Sequence, residues 1–428
     1  MVLMDENKIE NDELKAPETT DDAQKDTLDT NNSENTTSEA EVVTAATISD
    51  DEAARKKKRL IKAIVIPSSI VAFLTACYLV IAFSSIPFIA YWRGIWIETA
   101  MTTGTKQWLA TAFFPKSVID EVMKDFTTNT DVVGGGDALK PKDETTTPPS
   151  DDSSTATPDE PEKNEPEAPS DPLNQNNLSV GGKDYAGNTV LVNDKEEGIV
   201  ISEIIGKNFR GQIMLIDDPS RVFIGTTVYK GDEGMRILDM MSVYGAVAGT
   251  NASGFRDPGG EGMGGEVAGL TMSNGETWGK YNPNRSSMVL TTDNKLVVGN
   301  VGGNWKDYNI RDGMQFYPVL IADGERQVSG SNGYGLQPRT AVGQRGDGVI
   351  CFLVIDGRQP GWSLGCTVGE MADILEAYGI INAACCDGGA SSALAYGDEL
   401  TTKNCSQNPS IGRLLPNAFL VRSKKDTE

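Results

Sequence analysis

Four short stretches of this sequence set charged, amide and hydroxyl side chains beside glycine, where a chain turns tightly. They are Asn251-Ala252-Ser253-Gly254-Phe255-Arg256-Asp257-Pro258-Gly259-Gly260, Gln337-Pro338-Arg339-Thr340-Ala341-Val342-Gly343, Val354-Ile355-Asp356-Gly357-Arg358 and Asp387-Gly388-Gly389-Ala390-Ser391-Ser392. Arg339 and Arg358 offer the planar fork that grips a phosphate with two hydrogen bonds. Gly388-Gly389, following an apolar run, lets backbone N–H groups turn toward an anion, and Ser253, Ser391 and Ser392 add hydroxyls. Asp387 and Asp356 are the carboxylates that acid–base or nucleophilic work would need. Singly, each stretch also reads as an ordinary turn or a surface ion pair. Their gathering in one part of the chain is the signal.

What is missing narrows the chemistry further. The chain contains no histidine, which removes Ser-His-Asp and Cys-His catalysis and His-ligated zinc. Acid–base work falls to Asp, Glu, Lys, Tyr or Cys. Six cysteines (77, 351, 366, 385, 386, 405) form no C-x-x-C pair and are expected to be buried free thiols. The net charge of −23 lies largely in two low-complexity segments and makes a nucleic-acid partner an unsuitable one.

At the four stretches the chain resembles the phosphodiester glycosidases, the family of the N-acetylglucosamine-1-phosphodiester alpha-N-acetylglucosaminidases and of bacterial proteins of exopolysaccharide biosynthesis. The resemblance runs from about Val200 to Arg422, with the motifs in family order. Asn251-Ala252-Ser253-Gly254-Phe255 looks like the Asn-Gly-Gly-Phe element, Pro338 to Gly343 like Pro-Arg-Thr-Ala-Ile-Gly, and Asp356-Gly357-Arg358 and Asp387 to Ser392 like Asp-Gly-Arg and Asp-Gly-Gly-x-Ser-Ser. Two positions depart: Gln337 stands where some members have His, and Cys385-Cys386 where Asn-Leu is usual. The resemblance implies hydrolysis between a sugar's anomeric carbon and a phosphodiester oxygen. Asp387 would be the essential carboxylate, Asp356 the second, and Asn251 a hydrogen-bonding partner of the sugar. Arg339, Arg358 and the Gly388-Gly389 amides would hold the phosphate. No cofactor is implied; a structural calcium is left open, since no loop spells out a ligand set.

These residues need a scaffold. From about Gly181 the sequence turns to short β-rich runs: 199–205, 212–216 and 222–229 read as strands. Hairpins are signalled at Ser273-Asn274-Gly275, Thr292-Asp293-Asn294, Ala322-Asp323-Gly324 and Gly346-Asp347-Gly348. Helices are predicted over 233–244 and 368–378, the second opened by a Thr367/Glu370 capping box. Each ends in Tyr-Gly and feeds an apolar strand that stops at a polar residue, Asn251 or Asp387. The class expected is mixed α/β (α+β): a central sheet with packed helices and several hairpins, with the two polar strand ends meeting at one edge.

Upstream, Arg55-Lys56-Lys57-Lys58-Arg59 precedes an apolar run from about Ile64 to Ala90, then Tyr91, Trp92 and Trp96. Run length and basic flank predict a single transmembrane helix with the N-terminus cytoplasmic and the C-terminal domain outside a bacterial cell membrane. The expected order is an acidic disordered tail (1–59), an anchor (60–96), an amphipathic helical neck (97–126), a disordered Pro/Thr/acidic linker (127–180) and the folded domain (181–428). The partners expected are the membrane and a cell-envelope glycopolymer or sugar phosphodiester. A non-catalytic glycan-binding module and a sugar transferase of envelope synthesis remain as rival readings.

Overall fold

The structure is a computed structural model that describes residues 51–128, 130–142, 171–257 and 263–426. The acidic tail through residue 50, the linker core (143–170) and Pro258-Gly259-Gly260 lie outside the described residues. The chain divides into two units, Met1–Ala76 and Cys77–Glu428.

The first unit's described part is helical, with one wider turn at Ile61–Val65 before α1 (Ile66–Phe83). The continuous helix Asp51–Phe83 has 33 residues, and its most apolar 18-residue stretch has a mean hydropathy of 2.3, long and apolar enough to cross a membrane. The apolar run does not continue as one helix to Ala90, as the sequence suggested. Ile86 is extended (ψ 122°) and α2 (Pro87–Met101) begins with Pro87, because a residue before proline avoids the helical region while proline suits a helix start. The neck then holds one short turn at Trp108–Thr111 and α3 (Lys116–Met123). Ala82, Ile97, Ala100, Ala110, Phe114 and Ile119 close a small core of their own.

The segment expected to be a bare linker is ordered at both ends. Val133 and Gly134 pair with Gly299 and Val298, and Gln175 Nε2 donates to Asn193 Oδ1 and Asp194 O. Polar side chains there satisfy a strand edge, which composition alone does not reveal.

The rest is built from three antiparallel sheets. We label α4 (Ile237–Tyr244), β1 (Ala246–Asn251), β2 (Arg339–Arg345), β3 (Ile350–Ile355), α5 (Val368–Ala377) and β4 (Ile380–Cys385). The eight-stranded sheet runs Glu325–Arg326, Val319–Ala322, β4, β2, β3, Arg210–Ile216, Ile199–Ile205, Thr189–Asp194. Helix α5 packs on one face through Val368, Met371, Ala372 and Leu375. The other face meets the five- and six-stranded sheets through Ile201, Met214, Ile224, Ala248, Met288, Phe352 and Phe419. Helix α4 covers the far side of the five-stranded sheet through Ile237, Met240 and Met241.

Local rules account for the joints. Thr367 and Glu370 form the predicted capping box, at 2.8 and 3.1 Å. All four signalled turns join paired strands; in one, Asn274 and Gly275 both take positive φ, as a two-residue hairpin requires. The first helix is shorter than predicted. Glu233 and Met235 instead form bridges to Gly264 and Leu415, so their backbone groups are used in pairing before the helix starts.

Candidate active site

Strand order explains why distant stretches meet. β2 lies between β4 and β3, antiparallel to both. Arg339 at the start of β2 faces Ile355 at the end of β3, and Ala341 faces Cys385 at the end of β4. The opening of the middle strand and the exits of its neighbours therefore coincide, which brings Arg339, Asp356 and Asp387 to one sheet edge.

The turn after β4 is stitched down by its own backbone. Cys386 N donates to Thr340 O (2.9 Å), Asp387 N to Ala252 O (2.8 Å) and Gly389 N to Pro338 O (2.9 Å). Asn251 Nδ2 donates to Asp387 O (2.7 Å), while its Oδ1 accepts from Thr340 Oγ1 (2.7 Å) and Ala393 N (3.2 Å). The two polar strand ends do meet, although β1 and β4 belong to different sheets.

Several residues serve differently from what their types suggested. Asn251 is fully buried and its bonds go to protein, so it holds the Asp387 backbone in place. Ser253 is buried too, and its Oγ accepts from Asn417 Nδ2 at 2.9 Å. The Gly389 amide is consumed by Pro338, and the Gly388 amide faces Asp387's own carboxylate. The glycines thus shape the turn and do not cradle an anion. The buried hydroxyls of Ser391 and Ser392 lack a well-formed partner, yet Ser391 stands close enough to Asp387 to draw its pKa down.

Guanidinium groups supply the positive charge instead. Asp387 keeps part of its surface open, but dense protein around it pushes its pKa up; Ser391, Arg413, Arg285 and the Gly388 amide oppose that shift. Arg358 is held at a lowered pKa by burial and in turn feels Cys405, Asp387, Arg339 and Arg413. Its backbone is left-handed (φ 58°), and its Nη2 donates to Gln337 Oε1 at 2.7 Å. A Cβ at Gly389 would lie 3.1 Å from Arg358 Nη1, so glycine there lets the guanidinium approach the turn. Arg413 pairs with Asp257 at 2.7 Å and lies 4.6 Å over the Phe255 ring. Arg285 stacks against Phe316 and Tyr317, with a buried Nη1 left without a partner. Arg339 is more committed: Nε donates to Cys366 O, and Nη2 to Tyr334 O and Gly335 O.

Asp356, buried, accepts from Trp362 Nε1 at 2.8 Å. Burial raises its pKa to about 6, tempered by Trp362 and Lys403. Lys403 Nζ and the Arg210 guanidinium both lie under 5 Å from the Trp362 ring centre (4.9 and 4.8 Å). Arg285 and Arg413 were not singled out from sequence. Gly412-Arg413 repeats the Gly-Arg pattern of Gly357-Arg358, a faint signal; Arg285 carries none. All six cysteines are free thiols. Among the described residues no three or more Cys, Asp or Glu stand together as a metal site would require, so no residue set is assigned to calcium.

Residues 244–422 match the family model described as phosphodiester glycosidase. The SPbeta prophage-derived protein YomE of Bacillus subtilis is 29% identical over 192 residues, which is 42% of this chain and 28% of that protein's length. The alignment therefore spans little more than a quarter of that relative. Among solved structures, the zebrafish N-acetylglucosamine-1-phosphodiester alpha-N-acetylglucosaminidase catalytic domain, auto-inhibited by its pro-peptide, superposes with a TM-score of 0.44 at 17% identity. That match covers 53% of this chain and 82% of the zebrafish one. A hypothetical protein from Synechocystis gives 0.37 at 16% identity, over 53% and 62%. With four motifs in family order, three of them converging on one sheet edge and the fourth bonded to it, residues 244–422 form a phosphodiester glycosidase-like domain.

Proposed function

We propose that the chain is a membrane-anchored hydrolase acting outside the membrane on a sugar-1-phosphodiester. The observation that carries the reading is Arg358 Nη1 brought to the Asp387-Gly388-Gly389 turn, 3.1 Å from where a Gly389 Cβ would lie, with Arg285 and Arg413 also near enough for their charge to act on the partly buried Asp387. A departing phosphate monoester is already a stable anion, so the site needs charge stabilisation more than a strong acid. The arginines take the phosphate oxygens while Asp387 works at the anomeric carbon, either activating water or attacking directly. In the overall balance the bond from that carbon to the bridging oxygen breaks, its electron pair leaves with the phosphate, and water's oxygen becomes the sugar hydroxyl. Water's proton ends on the phosphate.

Asp356 is the second carboxylate. Its strand exit lies two strands from that of Asp387, roughly 10 Å in backbone terms.

The test is sugar release by the purified full chain, beside Asp387→Asn, from UDP-N-acetylglucosamine and from a methyl diester of N-acetylglucosamine 1-phosphate. Release by the wild type alone supports the reading. Failure of both, with retained binding of glycan, would leave an anchored binding module.

A further inference from the structure

The neck does not hang free of the site; it forms one side of the loop that frames it. Thr99 Oγ1 accepts from Leu336 N at 3.1 Å, Thr102 Oγ1 accepts from Gln337 Nε2 at 2.7 Å, and Thr103 Oγ1 accepts from Arg358 Nη2 at 3.3 Å. Tyr334 OH donates to Thr127 O at 2.6 Å and its ring packs on Phe126. Two glycines permit this approach. A Cβ at Gly335 would lie 2.6 Å from Thr99 N, and one at Gly333 2.8 Å from the Phe126 Cβ; both residues take positive φ. Glu98, nine-tenths buried, keeps one carboxylate oxygen without a partner and feels the charge of Arg339.

The other end of the neck is tied to the apolar helix. Arg93 Nη1 donates to Ile81 O and Ser84 O, and Ala82 packs into the core shared by Ile97, Ala100 and Ala110. Phe83 and Thr99 are 16 residues apart, with residues 84–86 outside a helix, a span of at most roughly 30 Å. In that interval and just beyond, Phe88, Tyr91, Trp92, Trp96, Trp108 and Phe113 are all exposed. Solvent-facing Trp and Tyr continuous with an apolar helix are what the headgroup layer of a bilayer accommodates. Trp96 is three residues from Thr99, so the aromatic belt reaches to the site's own loop.

We propose that residues 87–126 are a wall of the active site seated in the lipid headgroup layer, and that the substrate is a sugar phosphodiester carried by a membrane lipid. This rests on the hydrolase reading and on Asp51–Phe83 crossing the membrane. The reaction is the same hydrolysis: the anomeric C–O bond breaks, water supplies the sugar's new hydroxyl, and the lipid keeps its phosphate as a monoester.

The experiment uses the full chain in lipid nanodiscs with two probes, polyprenyl-phosphate-linked N-acetylglucosamine and the water-soluble methyl diester. Beside it stands a variant with 20 Gly/Ser residues inserted after Ser85. The wild type should favour the lipid probe in kcat/KM by at least ~10-fold, because both reactants share one surface. The insertion should erase that preference while the methyl diester is still cleaved within ~2-fold. Equal use of both probes, or a preference untouched by the insertion, overturns the proposal. Release from neither probe removes the hydrolase reading and the lipid substrate together. Quenching of Trp fluorescence by lipids brominated near the headgroup, lost on changing Trp96 and Trp108 to Phe, decides the seating of the neck without any activity. Its absence overturns that seating.

Discussion

The molecule uses one local pattern twice, with opposite results. α4 ends at Tyr244, turns at left-handed Gly245 and feeds β1; α5 gives way to Tyr378, turns at Gly379 and feeds β4. Both strands deliver a polar residue to a small-residue turn. At the end of β1, Asn251 is enclosed by Asp387 O, Thr340 and Ala393 and has become part of the frame. At the end of β4, Asp387 gives its backbone to that frame, and its carboxylate feels the charge of arginines from three other segments. Which residue does chemistry is decided by what other loops bring to it.

Replacing Asp387, the member proposed to react, should have the largest effect. Asp387→Asn keeps shape and hydrogen bonds but removes the charge, and sugar release should fall by ~10³-fold or more, with the circular-dichroism melt little changed. Asn251→Ala should do the reverse. It leaves Thr340 and the Ala393 amide unsatisfied and costs about 3 kcal/mol of stability, measurable by urea titration, with loss of activity following loss of fold.

Asp356 sharpens the contrast through pH. Its folded pKa, about 6, exceeds the usual 3.8, so the native state holds the proton more tightly. The stabilisation from that proton is complete below about pH 4 and lost as pH rises through 6. Asp356→Asn should therefore raise stability by roughly 2–3 kcal/mol at pH 7.5 and change it little at pH 4, read from paired denaturant titrations. The smallest effect is expected for Thr340→Val, about 1 kcal/mol. In a double-mutant cycle with Asn251→Ala most of that loss should vanish, because the two share one hydrogen bond.

Much of this fold is written locally. The capping box, the four hairpin turns and the apolar β3 and β4 all depend on near neighbours in sequence, and each appears as read. The exit of the apolar helix was misjudged because hydropathy does not register that Pro87 starts a new helix. The site was legible only where a motif carried it. Asp387 falls beside Asn251 as expected and Asp356 and Arg358 follow the exit of β3, two strands away, whereas Arg285 and Arg413 come from loops without a pattern. Asn251 and Ser253 were read as facing substrate because an amide or hydroxyl at a strand end looks the same whether it meets a ligand or another strand. The neck's contact with residues 334–337 involves threonines and glycines whose partners lie more than 200 residues away, and no periodicity announces such a pairing.

β4 has one more implication. Its Ala383 and Cys385 enter the core under α5, and its Ala384, with Cys386 just past its end, enters the core between the sheets. A strand that is a wall of two rooms cannot be withdrawn from one without opening the other. The domain should consequently melt as one cooperative block, and amide hydrogens of β4 should exchange with deuterium only at the rate of global unfolding. A reagent that labels Cys385 should label Cys386 in the same kinetic phase, since neither thiol can be reached while the other stays covered.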